Sequence, residues 1–172
     1  MIVIKTKRLL LEPLGIKHLQ TVHKYVSDYE NTKYMTYFPN KTLEETIVFL
    51  RRIENEWMRD TPSFYEFAII YKNQQIGAVG IYQSNDLSGE LSWIINKKYW
   101  GQGIAYEAAK ALLEYSITEF DIKHFIAYCD VENIASYKIM EKLGMFRTCT
   151  YRGRKNKNSS KERMGYQYEL YI

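Results

Sequence analysis

The sequence predicts a mixed sheet flanked by helices, an α/β or α+β layer fold in the order β-α-α-β-β-β-α-β-α-β-β. Three observations carry this. Short apolar runs bounded by turn residues read as strands. Between them lie stretches with apolar residues at helical spacing. No repeat, low-complexity tract or Pro/Gly-rich linker divides the chain, so residues 1–172 read as a single domain.

Each element has a local reason. Residues 2–12, with Leu9 and Leu11, read as one strand ending at Pro13. Residues 16–28 place Leu19, Val22, His23 and Val26 at helical spacing. Thr42 has Glu45 three residues on, a capping-box pattern, and Ile47, Leu50, Ile53 and Trp57 continue that stripe. Residues 64–71 and 76–82 read as a hairpin turning at Lys72-Asn73-Gln74-Gln75, and 89–96 as a further strand. Ala105, Ala108, Ala109, Leu112, Leu113, Ser116, Ile117 and Phe120 form the clearest amphipathic helix. After a strand at 123–129, Asn133 and Gly144 bound a short helix as N-cap and C′ residues. Residues 145–151 and 164–171 are two last strands joined by a polar loop. Strands 89–96 and 123–129 flank a helix, so they are expected to be parallel neighbours.

Composition narrows the function. A hydrophobic fraction of 46% and an aromatic fraction of 15% supply a core, and sixteen tyrosines suit clefts with apolar walls and polar tips. A net charge of +4 fits an anionic small ligand and does not demand nucleic acid. Cys129 and Cys149 fall in no metal-binding pattern, so they read as free thiols in a reducing compartment, with no metal. No stretch nears the ~20 apolar residues that span a membrane, and a soluble, cytoplasmic protein is expected.

The stretch Tyr99-Trp100-Gly101-Gln102-Gly103-Ile104-Ala105-Tyr106 carries the chemistry. A dinucleotide fingerprint needs a third glycine where Tyr106 stands, and Asp121 starts the next strand instead of ending it. A Walker-type phosphate loop is absent. What remains is a glycine turn opening into a helix. Its unpaired N–H groups, at the positive end of the helix dipole, suit a diphosphate. A plain tight turn at a helix start explains the same residues.

Four motifs together choose between these. They are Thr6-x-Arg8-Leu9-x-Leu11-x-Pro13-Leu14, Ile76-Gly77-x-x-Gly80, Gly89-Glu90-Leu91-Ser92-Trp93 before the glycine turn, and Asn133-x-Ala135-Ser136-Tyr137 after it. In this order they resemble the GNAT superfamily of acyl-CoA-dependent N-acetyltransferases, and within it the branch of the ribosomal-protein N-terminal (alanine) acetyltransferases. The resemblance implies a splayed central sheet of about seven strands with about four helices. It implies acetyl-CoA as cosubstrate, its diphosphate on the backbone of Gly101, Gln102, Gly103, Ile104 and Ala105, with Tyr106 close by. Trp100 stands where the family usually has Gln or Arg. The pantetheine is expected along Ile94, Ile95 and Asn96, with Asn133 against its arm and Lys138 or Lys142 near the adenosine phosphate.

The resemblance also implies direct attack of an amine on the thioester. Glu90 is the expected base, and an amide near Ile94 or Ile95 would polarise the thioester oxygen. The family's usual general-acid Tyr is Met140 here, and Tyr137 points about 60° away on a helix. Ser136 aligns with the serine of the ribosomal-protein branch, and the resemblance implies its hydroxyl as the expected proton donor. Tyr34, Tyr37 and Phe38 are expected to line the acceptor cleft, and the basic loop 152–163 reads as a solvated tip able to steer an acidic partner. The acceptor is expected to be a protein or peptide N-terminal amine, with a small-molecule amine or a non-catalytic CoA-binding module as alternatives. A homodimer is compatible with this reading, and neither a membrane nor direct nucleic-acid binding is expected.

Overall fold

The computed structural model describes residues 2–84 and 87–172. Among these, eight strands form one sheet in the order β1-β2-β3-β4-β5-β6-β8-β7. The strand expected at 2–12 is two strands, β1 (Ile4–Lys5) and β2 (Leu9–Pro13). Between them the chain reverses on Thr6, whose N–H donates to the Leu9 carbonyl at 2.9 Å and whose hydroxyl accepts the Leu9 N–H at 2.8 Å. That hairpin raises the seven expected strands to eight.

Helix α1 (Leu19–Val26) follows, and then a turn of helix, α2 (Tyr29–Thr32), absent from the expected order. Asp28 caps α2 by accepting the Asn31 N–H at 3.2 Å. Helix α3 (Leu43–Trp57) begins at the expected capping box, with Thr42 and Glu45 exchanging hydrogen bonds. Strands β3 (Phe64–Tyr71) and β4 (Gln74–Gln83) meet at a two-residue turn. Lys72 and Asn73 both have positive φ there, 49° and 61°, so Gln74 and Gln75 belong to β4 instead of the turn.

Strand β5 (Ser88–Ile95), helix α4 (Ile104–Glu119) and strand β6 (His124–Asp130) form the parallel unit. Helix α5 (Ile134–Lys142) precedes the last hairpin, β7 (Phe146–Arg154) and β8 (Arg163–Tyr171). Helices α4 and α5 cover one face, burying Ile104, Leu112 and Met140 against Phe67, Val79 and Phe125. Helices α1 and α3 cover the other with Val22, Tyr25, Leu50 and Ile53 against Phe64 and Ala68. Each such large apolar side chain contributes about 1.5–3 kcal/mol on burial.

Two features of this frame position the site. Strands β5 and β6 pair only at Ser88–His124, Gly89–Phe125 and Glu90–Ile126. Beyond Glu90, β5 stays with β4 as far as Ile95 while β6 stays with β8 as far as Asp130, so the two part. The second feature is the 152–163 segment, most of which is exposed as expected of a solvated tip, but which is also tied to the body of the protein. Asn156 is buried and donates to the Thr32 and Met35 carbonyls at 3.0 and 3.1 Å. Lys157 pairs with Glu45, and Arg163 with Asp130 and Glu132. Asn156, Lys157 and Arg163 thus tie it down, while Arg152, Lys155 and Lys161 stay exposed. Cys129 is buried and Cys149 exposed, both as free thiols.

Candidate active site

The glycine turn joins the open end of β5 to α4. Gly101 and Gly103 have φ of +74° and +71°, the left-handed region where other residues are strained. A Cβ on Gly101 would meet nothing within 4 Å, and one on Gly103 only the Arg8 guanidinium at 3.7 Å. The glycines thus serve the backbone conformation and keep the space over the turn open. Gly103 is the N-cap of α4, so the N–H groups of Ile104, Ala105 and Tyr106 begin the helix without intrahelical partners. Ile104 is buried and contributes backbone alone, whereas Gln102 is exposed.

The N-terminal hairpin grips this turn. Arg8 donates from Nε to Glu107 at 2.6 Å and from Nη1 to the Gln102 carbonyl at 3.0 Å. The Thr6 hydroxyl and the Arg8 N–H also donate to Glu107, at 2.6 and 2.9 Å. Desolvation raises the Glu107 pKa, but these bonds outweigh it and hold the carboxyl below its usual range. Glu107 lies in the first turn of α4. Arg8 therefore neutralises an acid that would repel an anion there. A groove of about 320 Å³ lined by Lys5, Lys7, Arg8 and Lys72 runs alongside. Arg8 was visible in the N-terminal motif, but nothing local linked it to residues almost a hundred positions away.

The opening between β5 and β6 moves two expected contacts, Ile94 and Asn96, and narrows a third, Ile95, to its N–H. The Asn96 N–H donates to Ile76 and the Ser88 carbonyl accepts from Ser84, both on the β4 side. Alternate residues of a strand turn their backbone groups to opposite sides. Ile94 and Asn96 are therefore spent on β4, and Leu91, Trp93 and Ile95 face the opening. The Ile95 carbonyl is already occupied, by Asn31 Nδ2 at 3.1 Å and Trp100 Nε1 at 2.8 Å. A pantetheine arm would find Leu91, Trp93 and the Ile95 N–H. Trp100, in place of Gln or Arg, ties the turn to the end of β5.

On the β6 side, Asn133 caps α5, its Oδ1 accepting the Ser136 N–H at 3.3 Å. A ligand would have to use its Nδ2 donors. Ser136 lies one turn into α5, while Met140 is buried in the core and cannot replace a missing tyrosine. Tyr137 packs edge-to-face on Tyr166 at 5.9 Å. Lys138 and Lys142 are both exposed on α5.

Glu90 marks the point where the strands separate. Its carboxyl is exposed, yet the crowded cleft desolvates it enough to raise its pKa, against the lowering effect of Arg154. Arg154 donates to the Tyr34 carbonyl at 3.0 Å and the Tyr151 hydroxyl at 3.2 Å. Tyr34 lies under Arg163, 5.4 Å from guanidinium carbon to ring centroid, and its carbonyl holds Arg154, whose charge acts on Glu90. Phe38 is not a cleft residue: it is buried in the α1/α3 core, edge-to-face with Phe49 at 5.3 Å. Tyr37 is 82% exposed, projecting from the surface instead of walling a cleft. Among the described residues, no group of three or more His, Cys, Asp or Glu is placed to hold a metal. No helix among them is long and apolar enough to cross a membrane.

A splayed parallel pair, a glycine turn at a helix N-terminus and a carboxylate where the strands part define an acyl-CoA-dependent transferase. Residues 8–146 match the family model described as "Acetyltransferase (GNAT) domain". The chain belongs to the GNAT acetyltransferases and is an N-acetyltransferase of that family. It is 32% identical over 160 residues to an uncharacterized N-acetyltransferase, YnaD, of Bacillus subtilis (strain 168), covering 87% of this chain and 89% of that one. Its fold is similar to that of RimL, a ribosomal L7/L12 α-N-protein acetyltransferase solved with coenzyme A. The TM-score is 0.86 at 17% identity, over 99% of this chain and 98% of that one. It is also similar in fold to spermidine N-acetyltransferase from Vibrio cholerae, solved with CoA and spermine. There the TM-score is 0.82 at 19% identity, over 96% of each chain.

Proposed function

We propose that the chain acts as a single acyltransferase domain that moves the acetyl group of acetyl-CoA to a protein or peptide N-terminal amine by direct attack. The observation that carries this is the parting of β5 from β6 immediately beyond Glu90, in line with the glycine turn. The turn holds the diphosphate, and the pantetheine lies along Leu91 and Trp93. A backbone amide facing the opening polarises the thioester oxygen. Glu90 draws the ammonium group and accepts a proton from it. Ser136 supplies a proton toward the departing thiolate.

The modest acid–base equipment favours an α-amine. An α-amine has a pKa of about 7.7–8.0, so a substantial fraction is neutral near pH 7. A lysine-like amine, near pKa 10.4, needs far more help to lose its proton. A small polyamine is the second reading, favoured by the acidic Glu90 at the mouth and by the fold likeness to the spermidine enzyme. The two free thiols suit a reducing, cytoplasmic setting.

The experiment is incubation with acetyl-CoA and a panel of peptides, polyamines and aminoglycosides, read by thiol release. Peptide turnover with little on spermidine is the expected result. Glu90→Gln is expected to lower kcat/KM about a hundredfold. Unchanged turnover in that variant would remove Glu90 from the role. CoA binding with no turnover on any acceptor would make the domain a non-catalytic CoA module.

A further inference from the structure

Behind the mouth of the cleft lies a carboxyl group that the chemistry above does not use. Glu66 of β3 is 6% exposed, on the face covered by α1 and α3. The sheet register sets Glu66, Gly80 and Ser92 in one row, with Phe64, Tyr82 and Glu90 in the row beside it. The carboxyl lies over Gly80, where a Cβ would come within 2.6 Å of it. Glycine is needed at 80 to make room for this acid. The Tyr82 hydroxyl donates to Glu66 Oε1, and the Ser92 hydroxyl also bonds the carboxylate. Among the described residues, no Lys, Arg or His forms an ion pair with it.

The ionisable groups facing Glu66 come from every packed element: Tyr82 from the sheet, with Glu90 acting on Tyr82 from beyond it, Tyr25 from α1 and Arg52 from α3. Desolvation pushes the Glu66 carboxyl up to about 7, against the hydrogen bonds of Tyr82 and Ser92 and the charge of Arg52. Desolvation and the nearby Glu66 charge hold the Tyr82 phenol well above its usual range, so it stays protonated. Tyr82 is half-buried, stacked on Phe64 at 5.0 Å, and directly opposite Glu90. With its proton committed to Glu66, only its oxygen lone pairs are left to face the cleft. A glutamine at 66 would fill the same space without burying a charge.

Acetyl transfer has a use for such a group. An ammonium acceptor loses two protons from nitrogen on becoming an amide, and only one is returned, to sulfur. We propose that Glu66, reached through Tyr82, is the second proton acceptor. This rests on the reading that the acceptor amine meets Glu90. Glu90 takes the first proton, freeing the nitrogen lone pair. As the C–N bond forms, the nitrogen passes its second proton to the Tyr82 oxygen, and Tyr82 passes its own to Glu66. The C–S bond then breaks, and the thiolate leaves with its electron pair and is protonated from solvent by way of Ser136. Tyr82 ends unchanged, and both carboxylic acids return their protons to water.

The test compares wild type with Glu66→Gln, Tyr82→Phe and the double variant. The probes are a short peptide with N-terminal serine and spermidine, each with saturating acetyl-CoA. Wild-type kcat is expected to show an acidic limb centred near the Glu66 value of about 7. Each variant is expected to lose that limb and fall about tenfold to a hundredfold on the alkaline plateau. The double variant is expected to be no slower than either single one, because both cut one path. A Glu66→Gln limb at the wild-type position overturns the relay and leaves the acetyltransferase reading standing. If neither probe turns over, that reading fails in its present form, and infrared titration of the free enzyme decides the rest. A buried carboxylic-acid band that grows from about pH 8 to pH 6 and is missing in Glu66→Gln supports proton storage. Absence of such a band from wild type overturns it.

Discussion

Gly103→Ala adds one methyl group at the point where the diphosphate is proposed to sit. Within the protein that methyl meets only the Arg8 guanidinium, at the ordinary contact distance of 3.7 Å. The folding cost is therefore backbone strain alone, because φ is +71°. Left-handed backbone costs a non-glycine residue roughly 1–2 kcal/mol, equivalent to a fall in Tm of about 2–8 °C in a domain of this size. Gly153→Ala supplies the control. Gly153 has φ of +90°, a Cβ there meets nothing within 4 Å, and it lies on β7, away from the turn. The same strain is expected, so the same loss of Tm. Only the first methyl stands over the amides that open α4. Losing one charge-assisted bond to the diphosphate costs about 1.5–3 kcal/mol, so the Kd for CoA is expected to rise about tenfold to a hundredfold. Calorimetric titration with CoA, beside melting curves of both variants, measures the two effects separately. Equal CoA affinity in the two variants would reduce the turn to a plain helix start.

Three more outcomes are expected. Arg8→Gln leaves Glu107 without its countercharge beside the proposed diphosphate site and should raise the Kd for CoA about tenfold at low salt. Adding Glu107→Gln should restore most of that loss, and an unchanged Kd in the single variant refutes the neutralising role. Asn156→Ala removes donors from the Thr32 and Met35 carbonyls, at a cost of about 1–3 kcal/mol. It should raise KM for the acceptor while CoA affinity holds, and an equal effect on both would separate the loop from the acceptor side. Glu66→Gln should change the pH dependence of stability. The folded Glu66 value of about 7 lies above its value in the unfolded chain, near 4.3. Wild type therefore binds the extra proton when folded and loses stability as pH rises from about 4.5 through about 7. The Tm of the variant should gain on wild type across that window and level off above it, which melting curves at pH 5 and pH 8 test.

The turn and caps proposed to serve CoA were legible because they make demands on the backbone. Gly101 and Gly103 are needed where φ is positive, Asn133 where a helix needs a cap, and Gly144 where φ is +85° at its end. Such demands are local and leave a fixed residue type at a fixed spacing. The errors on that side came from a period of two. A strand presents alternate residues to each neighbour, and the sequence alone does not say which set faces β4. Ile94 and Asn96 were therefore expected in the opening that Leu91 and Trp93 occupy. The missing hairpin at 6–8 has a similar origin: one threonine hydroxyl turns the chain without any glycine or proline to mark it.

The proposed acceptor side resisted because its walls would be side chains brought together from far apart. Tyr34 precedes α3, Tyr82 and Glu90 lie on adjacent strands, and Arg154 ends β7. No spacing rule joins them. Phe38 shows the limit of reading an aromatic cluster, since its ring is buried in the core while Tyr34 lies under Arg163. Glu66 was hidden for the opposite reason. An acid in an apolar strand looks like a residue facing water, and only the register reveals that it points inward over Gly80. Yet a partial signal existed, because Gly80, like Gly77, interrupts the apolar middle of a central strand. A glycine there weakens a strand unless something fills its place, and what fills it is a carboxyl group. The same glycine that helped to mark the family thus points across the sheet to the acid that gives the acceptor side its proposed second proton site.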